Sequence, residues 1–80
     1  MTNLEAAEHF VLWCRFKRVS ANSREWLIGA VFAVLSWKHP DQYEAELQAV
    51  QDMCGIRLPA GSAERLREFR AQVSGPESAV

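Results

Sequence analysis

The sequence predicts an all-α fold, a compact four-helix domain, from three observations. Residues 26–37 are apolar except at Gly29 and Ser36, and about 100° per residue distributes these apolar side chains around a whole helix. Three other segments have apolar residues at helical spacing between capping residues, glycine or proline. No segment alternates in polarity for long enough to predict a strand. We therefore expect a central apolar helix, at about residues 23–38, that the other three helices cover on every side.

The first helix is predicted from residue 3 to about residue 18. Thr2 and Glu5 have the spacing of a capping box, in which each residue satisfies a free N–H group at the start of a helix. A first set of apolar residues follows at helical spacing: Leu4, Ala7, Phe10, Val11 and Cys14. Further apolar residues lie beside this set: Leu12, Trp13 and Phe16. The helix therefore carries more apolar surface than one neighbouring helix can cover.

The second helix is predicted from about residue 23 to residue 38. Polar residues that compete for backbone hydrogen bonds precede it, and Asn22 with Glu25 forms another capping-box match. It is predicted to end before His39, because Pro40 disfavours helical geometry in the residue that precedes it. Gly29, with the two alanines that follow it, is predicted to accommodate a bulky side chain such as Phe10 or Tyr43.

The third and fourth helices are ordinary amphipathic segments. Pro40 is predicted as the first residue of the third helix, and Gly55 as its left-handed end. The buried stripe between them is predicted to be Tyr43, Leu47, Val50 and Cys54, widened by Met53. Ser62 is predicted to cap a shorter fourth helix, to about residue 73, that buries Leu66, Phe69 and Val73. Residues 1–73 are thus expected to form one domain, and the polar residues 74–80 a flexible tail.

The composition excludes several classes of protein. The 80 residues are 49% hydrophobic and 24% charged, which is typical of one folded domain. A net charge of -1 gives no general attraction for nucleic acid. The apolar stretch would form a helix of about 18 Å, shorter than the roughly 30 Å of a bilayer core, so we expect no membrane protein. The acidic amino terminus does not have the pattern of a secretory signal, which favours a cytoplasmic location.

Few residues suggest catalysis or metal binding. Glu5 and His9 lie four residues apart, but two ligands are fewer than the three or four of a zinc site. Cys14 has no strained turn or glycine-rich loop that would make it a nucleophile beside His9 or His39. We therefore expect no enzyme, no cofactor and no metal. Cys14 and Cys54 are expected to be free thiols.

The surplus of apolar surface predicts a binding role. We expect an exposed patch near Trp13, Phe16 and one of Trp26 or Trp37. Basic residues surround the first turn between helices: Arg15, Lys17, Arg18 and Arg24. Aromatic residues rimmed by arginine are enriched in protein interfaces. The sequence thus favours a small protein–protein interaction module, a regulator or inhibitor that occupies the surface of a larger protein or forms a homodimer.

The alternative function is a nucleic-acid-binding regulator that uses the same basic cluster, at residues 15–24. A recognition helix must present polar side chains to the base edges. The second helix has almost none between Trp26 and Trp37, which makes this alternative the weaker one.

Overall fold

Four α-helices make up most of the structure, a computed structural model that describes residues 1–16 and 18–73. They are α1 (Asn3–Cys14), α2 (Ala21–Trp37), α3 (Tyr43–Cys54) and α4 (Ser62–Ala71), with a 3-10 turn at Pro40–Gln42 before α3. The described residues contain no strand. The predicted all-α class and the four helices are therefore confirmed. Lys17 and the predicted tail at residues 74–80 lie outside the described residues.

Each helix runs antiparallel to the next, and α4 returns to α1. Asn3, at the start of α1, donates to Ser36 near the end of α2 at 3.3 Å. Lys38, directly after α2, forms a 3.1 Å ion pair with Glu46 in the first turn of α3. Arg70, near the end of α4, donates to the Asn3 side chain at 3.2 Å. The four helices thus form a ring in which α1 and α3 each contact both α2 and α4.

All four helices contribute to one core. Its largest fully buried side chains are Tyr43, Phe10, Leu27, Leu35, Leu66 and Val31. Phe10 of α1 meets Phe69 of α4 edge to face, with ring centroids 6.4 Å apart. The predicted stripe of α3 is confirmed at Tyr43, Leu47 and Val50. Aromatic pairs in this geometry are favourable beyond the area that they bury.

The expectation that α2 is covered on every side is wrong. Its buried residues are Leu27, Val31, Val34 and Leu35, which form one stripe. Trp26, Phe32 and Trp37 are exposed instead. Gly29 also receives no bulky neighbour, because nothing lies within 4 Å of the position that a Cβ would take. The ring arrangement explains why part of α2 is exposed. Because α2 packs mainly against α1 and α3, the side of α2 that faces away from both of them is in contact with solvent.

Local hydrogen bonds define both ends of the first helix, which is shorter than predicted. The Thr2 cap is confirmed, since its hydroxyl accepts from the Glu5 N–H at 3.1 Å. The helix ends at Cys14 rather than near residue 18. Arg15 adopts the left-handed conformation, with φ of 52°, and its N–H bonds to the Leu12 carbonyl at 3.2 Å. A left-handed residue ends the α-helical hydrogen-bond ladder.

Apart from the end of α3, the other helix ends differ from the prediction by one to three residues. Ser20 caps α2, accepting from the Ser23 N–H at 3.1 Å, so the helix begins before Asn22. Pro40 begins the 3-10 turn rather than α3 itself. Gly55 has φ of 66° and ends α3 as predicted. Gly61, with φ of 79°, takes the capping position of α4, and the Ser62 hydroxyl donates back to the Pro59 carbonyl.

Tyr43 buries a polar atom that has no partner among the described residues. Its side chain is 0% exposed, and its hydroxyl oxygen makes no hydrogen bond there. Burial raises the pKa of the phenol, and the positive charges of Arg70 and Arg67 oppose that rise. In the unfolded chain water satisfies this hydroxyl, so folding removes hydrogen bonds that the core does not replace.

Tyr43→Phe is therefore expected to stabilise the protein. The variant keeps the buried ring and removes the hydroxyl, so we expect the free energy of unfolding to rise by about 1 kcal/mol. Urea denaturation of both proteins measures the change as a higher midpoint with an unchanged slope. A lower midpoint would mean that the hydroxyl is hydrogen-bonded in solution.

Candidate protein-binding surface

The two aromatic residues predicted on α1 are partly buried. Trp13 and Phe16 both pack against the core. The Trp13 ring lies 5.9 Å from the Phe10 ring. The guanidinium of Arg65 lies over Trp13 and over Phe69, 5.7 Å and 5.1 Å from the ring centroids. These cation–π contacts join α1 to α4, so Trp13 has a structural partner within the chain.

The two tryptophans predicted on α2 are both exposed. Trp26 is 49% exposed and Trp37 is 83% exposed. They are eleven residues apart, which places them on the same side of α2 at a distance of about 16 Å along its axis. Trp37 lies near the end where α3 begins, and Trp26 lies near the end where α3 finishes. The two side chains therefore belong to opposite ends of the molecule.

A groove of about 610 Å³ lies beside Trp26, between the start of α2 and the end of α3. Its lining residues come from the turn before α2, from α2 and from the end of α3: Arg18, Val19, Ser20, Asn22, Ser23, Trp26, Leu27, Met53, Cys54 and Ile56. Most of the lining surface is apolar. Trp26 and Met53, which is 72% exposed, are its exposed large apolar side chains. This is a concave apolar surface with a polar edge, the usual form of a binding site.

The predicted basic residues lie at the same end of the molecule. Arg15, Arg18 and Arg24 are exposed, and none of them forms an ion pair with the described residues. Arg18 lines the groove, whereas Arg15 and Arg24 line a shallower depression with Phe16. Lys17 lies outside the described residues. Three of the four predicted cations therefore lie beside Trp26 or Phe16 with unpaired positive charge.

Two exposed apolar residues contradict the sequence interpretation. Met53 and Leu4 were predicted on buried stripes, and they are 72% and 51% exposed. Leu12, which was predicted beside the first apolar set of its helix, is 67% exposed. Met53 lies one residue before Cys54, which is itself only partly buried, and Leu4 lies at the edge of the buried arc of α1. On a helical projection these positions lie away from Phe10 and Tyr43, the buried residues at the centre of each stripe. The sequence alone does not show which residue is at that centre, because this depends on where the neighbouring helices pack.

The chain's cysteines and histidines do not form a reactive cluster. Burial raises the pKa of the Cys14 thiol to about 12 and also raises the pKa of Cys54. Both thiols are therefore protonated near neutral pH and are poor nucleophiles. His39 contacts Asp41 at 3.4 Å, and the His9 ring lies 6.3 Å from Phe69. Within residues 1–16 and 18–73, no three His, Cys, Asp or Glu residues are grouped as a metal site requires.

The helices also bear on membrane insertion. Over the described residues, none of them combines the length and the apolar character that crossing a bilayer requires. The apolar surface of α2 is instead divided between the core and the exposed tryptophans.

Comparison with protein-family models, with curated proteins and with solved structures found no significant match to this chain. The groove beside Trp26 and the basic residues around it are therefore the observations from which a function can be argued.

Proposed function

We propose that this protein is a small interaction module that regulates or inhibits a larger protein by docking onto its surface through the groove beside Trp26. The observation that carries this proposal is the groove itself, which presents two exposed apolar side chains, Trp26 of α2 and Met53 of α3. Covering the exposed part of Trp26 is worth about 2 kcal/mol of hydrophobic free energy. A large, exposed aromatic residue that lines a groove is typical of an interface hot spot.

The occupant that fits is an amphipathic helix of the partner, with a carboxylate next to a large apolar side chain. None of the described lining residues is acidic, whereas Arg18 contributes an unpaired positive charge. The start of α2, capped by Ser20, adds the partial positive charge of a helix N-terminus at the same edge. An apolar side chain of the partner would lie against Trp26 and Met53, while its carboxylate would face Arg18. Charge complementarity of this kind selects an acidic partner over a basic one.

The experiment is affinity capture from nuclease-treated lysate of the source cells with four forms of the protein. These are the wild type, Trp26→Ala, Met53→Ala and Trp37→Ala. We expect Trp26→Ala and Met53→Ala each to reduce recovery of a stoichiometric partner at least tenfold, as loss of a hot spot does. Trp37→Ala is the matched control, because it removes the same residue type from the same helix outside the groove. Circular dichroism checks that all four proteins are folded.

The chemistry of the partner is tested separately with a photoreactive amino acid in place of Met53. The crosslinked peptide is expected to be an amphipathic helix with Asp or Glu beside its apolar face. Charge reversal by Arg18→Glu should then weaken binding of a synthetic peptide of that sequence. Equal loss with Trp26→Ala and Trp37→Ala, or a crosslinked segment rich in lysine, would contradict the proposal.

The second candidate, a nucleic-acid-binding regulator, is favoured by one observation, the unpaired Arg15, Arg18 and Arg24 at one end of the molecule. Glu25 lies next to Arg24, and the net charge of the chain is -1, which weakens the attraction for phosphates. The same capture without nuclease distinguishes the candidates. Recovery that depends on nucleic acid and falls steeply with salt would support this second function instead.

A further inference from the structure

The outer side of α1 carries a second apolar surface, separate from the groove. Leu4 and Leu12 are 51% and 67% exposed. About 100° per residue places Leu4, Glu8 and Leu12 within an arc of about 80°. Leu12 and Arg15 line the same shallow depression. We call the surface formed by Leu4, Glu8, Leu12 and Arg15 the hairpin face.

Charge is separated along the hairpin face. Glu8 is exposed on the second turn of α1, and Arg15 is exposed directly after its last residue. Arg24 of α2 lies beside Arg15, since both line the depression that also contains Leu12. Neither Glu8 nor Arg15 forms an ion pair with a described residue. The face is therefore negative on one side of Leu12 and positive on the other.

We propose that a second copy of this chain binds the hairpin face, with the two α1 helices antiparallel across a twofold axis. In a twofold interface, when residue i meets residue j, residue j also meets residue i. An axis close to Leu12 brings Leu12 of both copies together. It also places Glu8 of each copy opposite Arg15 of the other, because residues 8 and 15 lie at similar distances on either side of it. The helix rise gives a spacing of about 10 Å between Glu8 and Arg15 within one copy.

This arrangement is self-complementary, because the same surface supplies both charges of each pair. A foreign partner would need a different surface with the matching pattern of charge. The two Glu8–Arg15 pairs flank the apolar contact at Leu12, and the twofold rotation relates one pair to the other. A parallel arrangement of the two α1 helices would place Glu8 on Glu8 and Arg15 on Arg15, which like-charge repulsion disfavours. Each ion pair in such an exposed position contributes little by itself, so the expected dimer is weak and concentration-dependent.

The test is sedimentation equilibrium of the full chain between about 10 µM and about 1 mM. We expect the wild type to dimerise over this range. Glu8→Arg and Arg15→Glu should each weaken association at least tenfold, since each places two pairs of like charges in the interface. Mixing the two variants should restore association as a heterodimer, because both cross-subunit pairs are then of opposite charge.

Controls separate this pairing from general charge effects. Glu64→Arg and Arg57→Glu make the same charge changes at exposed positions outside the hairpin face. Neither control should weaken self-association, and mixing them should produce no more association than the wild type shows. A wild type that stays monomeric at 1 mM, or a mixture of the Glu8 and Arg15 variants that stays monomeric, would overturn the proposal. Because Trp26 and Met53 lie outside the hairpin face, this result is independent of docking in the groove.

Discussion

Phe10→Ala is expected to lower the free energy of unfolding by about 3–5 kcal/mol, the range found when a buried phenylalanine is truncated. For a domain of this size that is a large share of the total stability, which is typically about 5–15 kcal/mol. We therefore expect the variant to be partly or wholly unfolded at room temperature. Loss of the helical circular-dichroism signal and of a cooperative urea transition measures the effect.

The physical reason is the position of Phe10 between two helices. Its side chain is 0% exposed, and its ring lies against Phe69 of α4 and against Trp13. Removing the ring leaves a cavity where α1 and α4 meet. The same space is bounded by Arg65, whose guanidinium stacks on Trp13 and Phe69, so it cannot collapse without loss of those contacts.

Leu12→Ala is the matched control for Phe10→Ala. It truncates a large apolar residue two positions away on the same helix, where the side chain is 67% exposed. At a concentration where the chain is monomeric, we expect a change within about 0.5 kcal/mol. Similar losses for Leu12→Ala and Phe10→Ala would contradict the structure, because they would mean that both residues are buried.

The sequence predicts those helices best whose apolar residues form a single stripe. On α3, Tyr43, Leu47 and Val50 recur at spacings of four and three, and all three are buried as predicted. Between Tyr43 and Met53 the remaining residues of that helix are polar except for two alanines, so only one orientation buries the stripe. Here the local pattern contains the information that the tertiary structure uses.

The same reasoning fails for α2 because its pattern is nearly uniform. Leu27 and Val31 are buried while Trp26 and Phe32 are exposed, although all four are apolar. Hydropathy cannot decide which side of such a helix faces solvent, since that depends on where α1 and α3 pack. The candidate groove could not be predicted for the same reason, because Trp26 and Met53 of α3 line one groove only in the folded chain.

Helix ends were predicted less well where several residues could cap. Ser20, Asn22 and Ser23 are all good capping residues, and the structure uses Ser20. At the end of α1 the residue in the left-handed conformation is Arg15, and arginine is not a residue type that predicts a helix end. By contrast, Gly55 adopts the left-handed conformation without steric cost, and it ends α3 where predicted.

Alkaline pH is expected to destabilise the protein strongly through Cys14. Burial raises the pKa of this thiol from its ordinary value near 9 to about 12. Because the unfolded thiol loses its proton at lower pH than the folded one, stability is complete below about pH 9 and is lost as the pH rises toward 12. Three units of pKa correspond to about 4 kcal/mol. The raised pKa of Tyr43 acts in the same direction, beginning near its ordinary value of 10.0.

Urea denaturation under reducing conditions, repeated between about pH 8 and pH 12, measures this loss. Cys14→Ala removes the titrating group, so its stability should fall less steeply with pH, although the smaller side chain lowers stability by a constant amount at every pH. Cys54→Ala should keep a pH dependence close to that of the wild type, because Cys54 is less buried than Cys14. If the wild type and Cys14→Ala lose stability in parallel, the Cys14 thiol must reach solvent in the folded protein. The buried position of Cys14 in the structure would then be wrong.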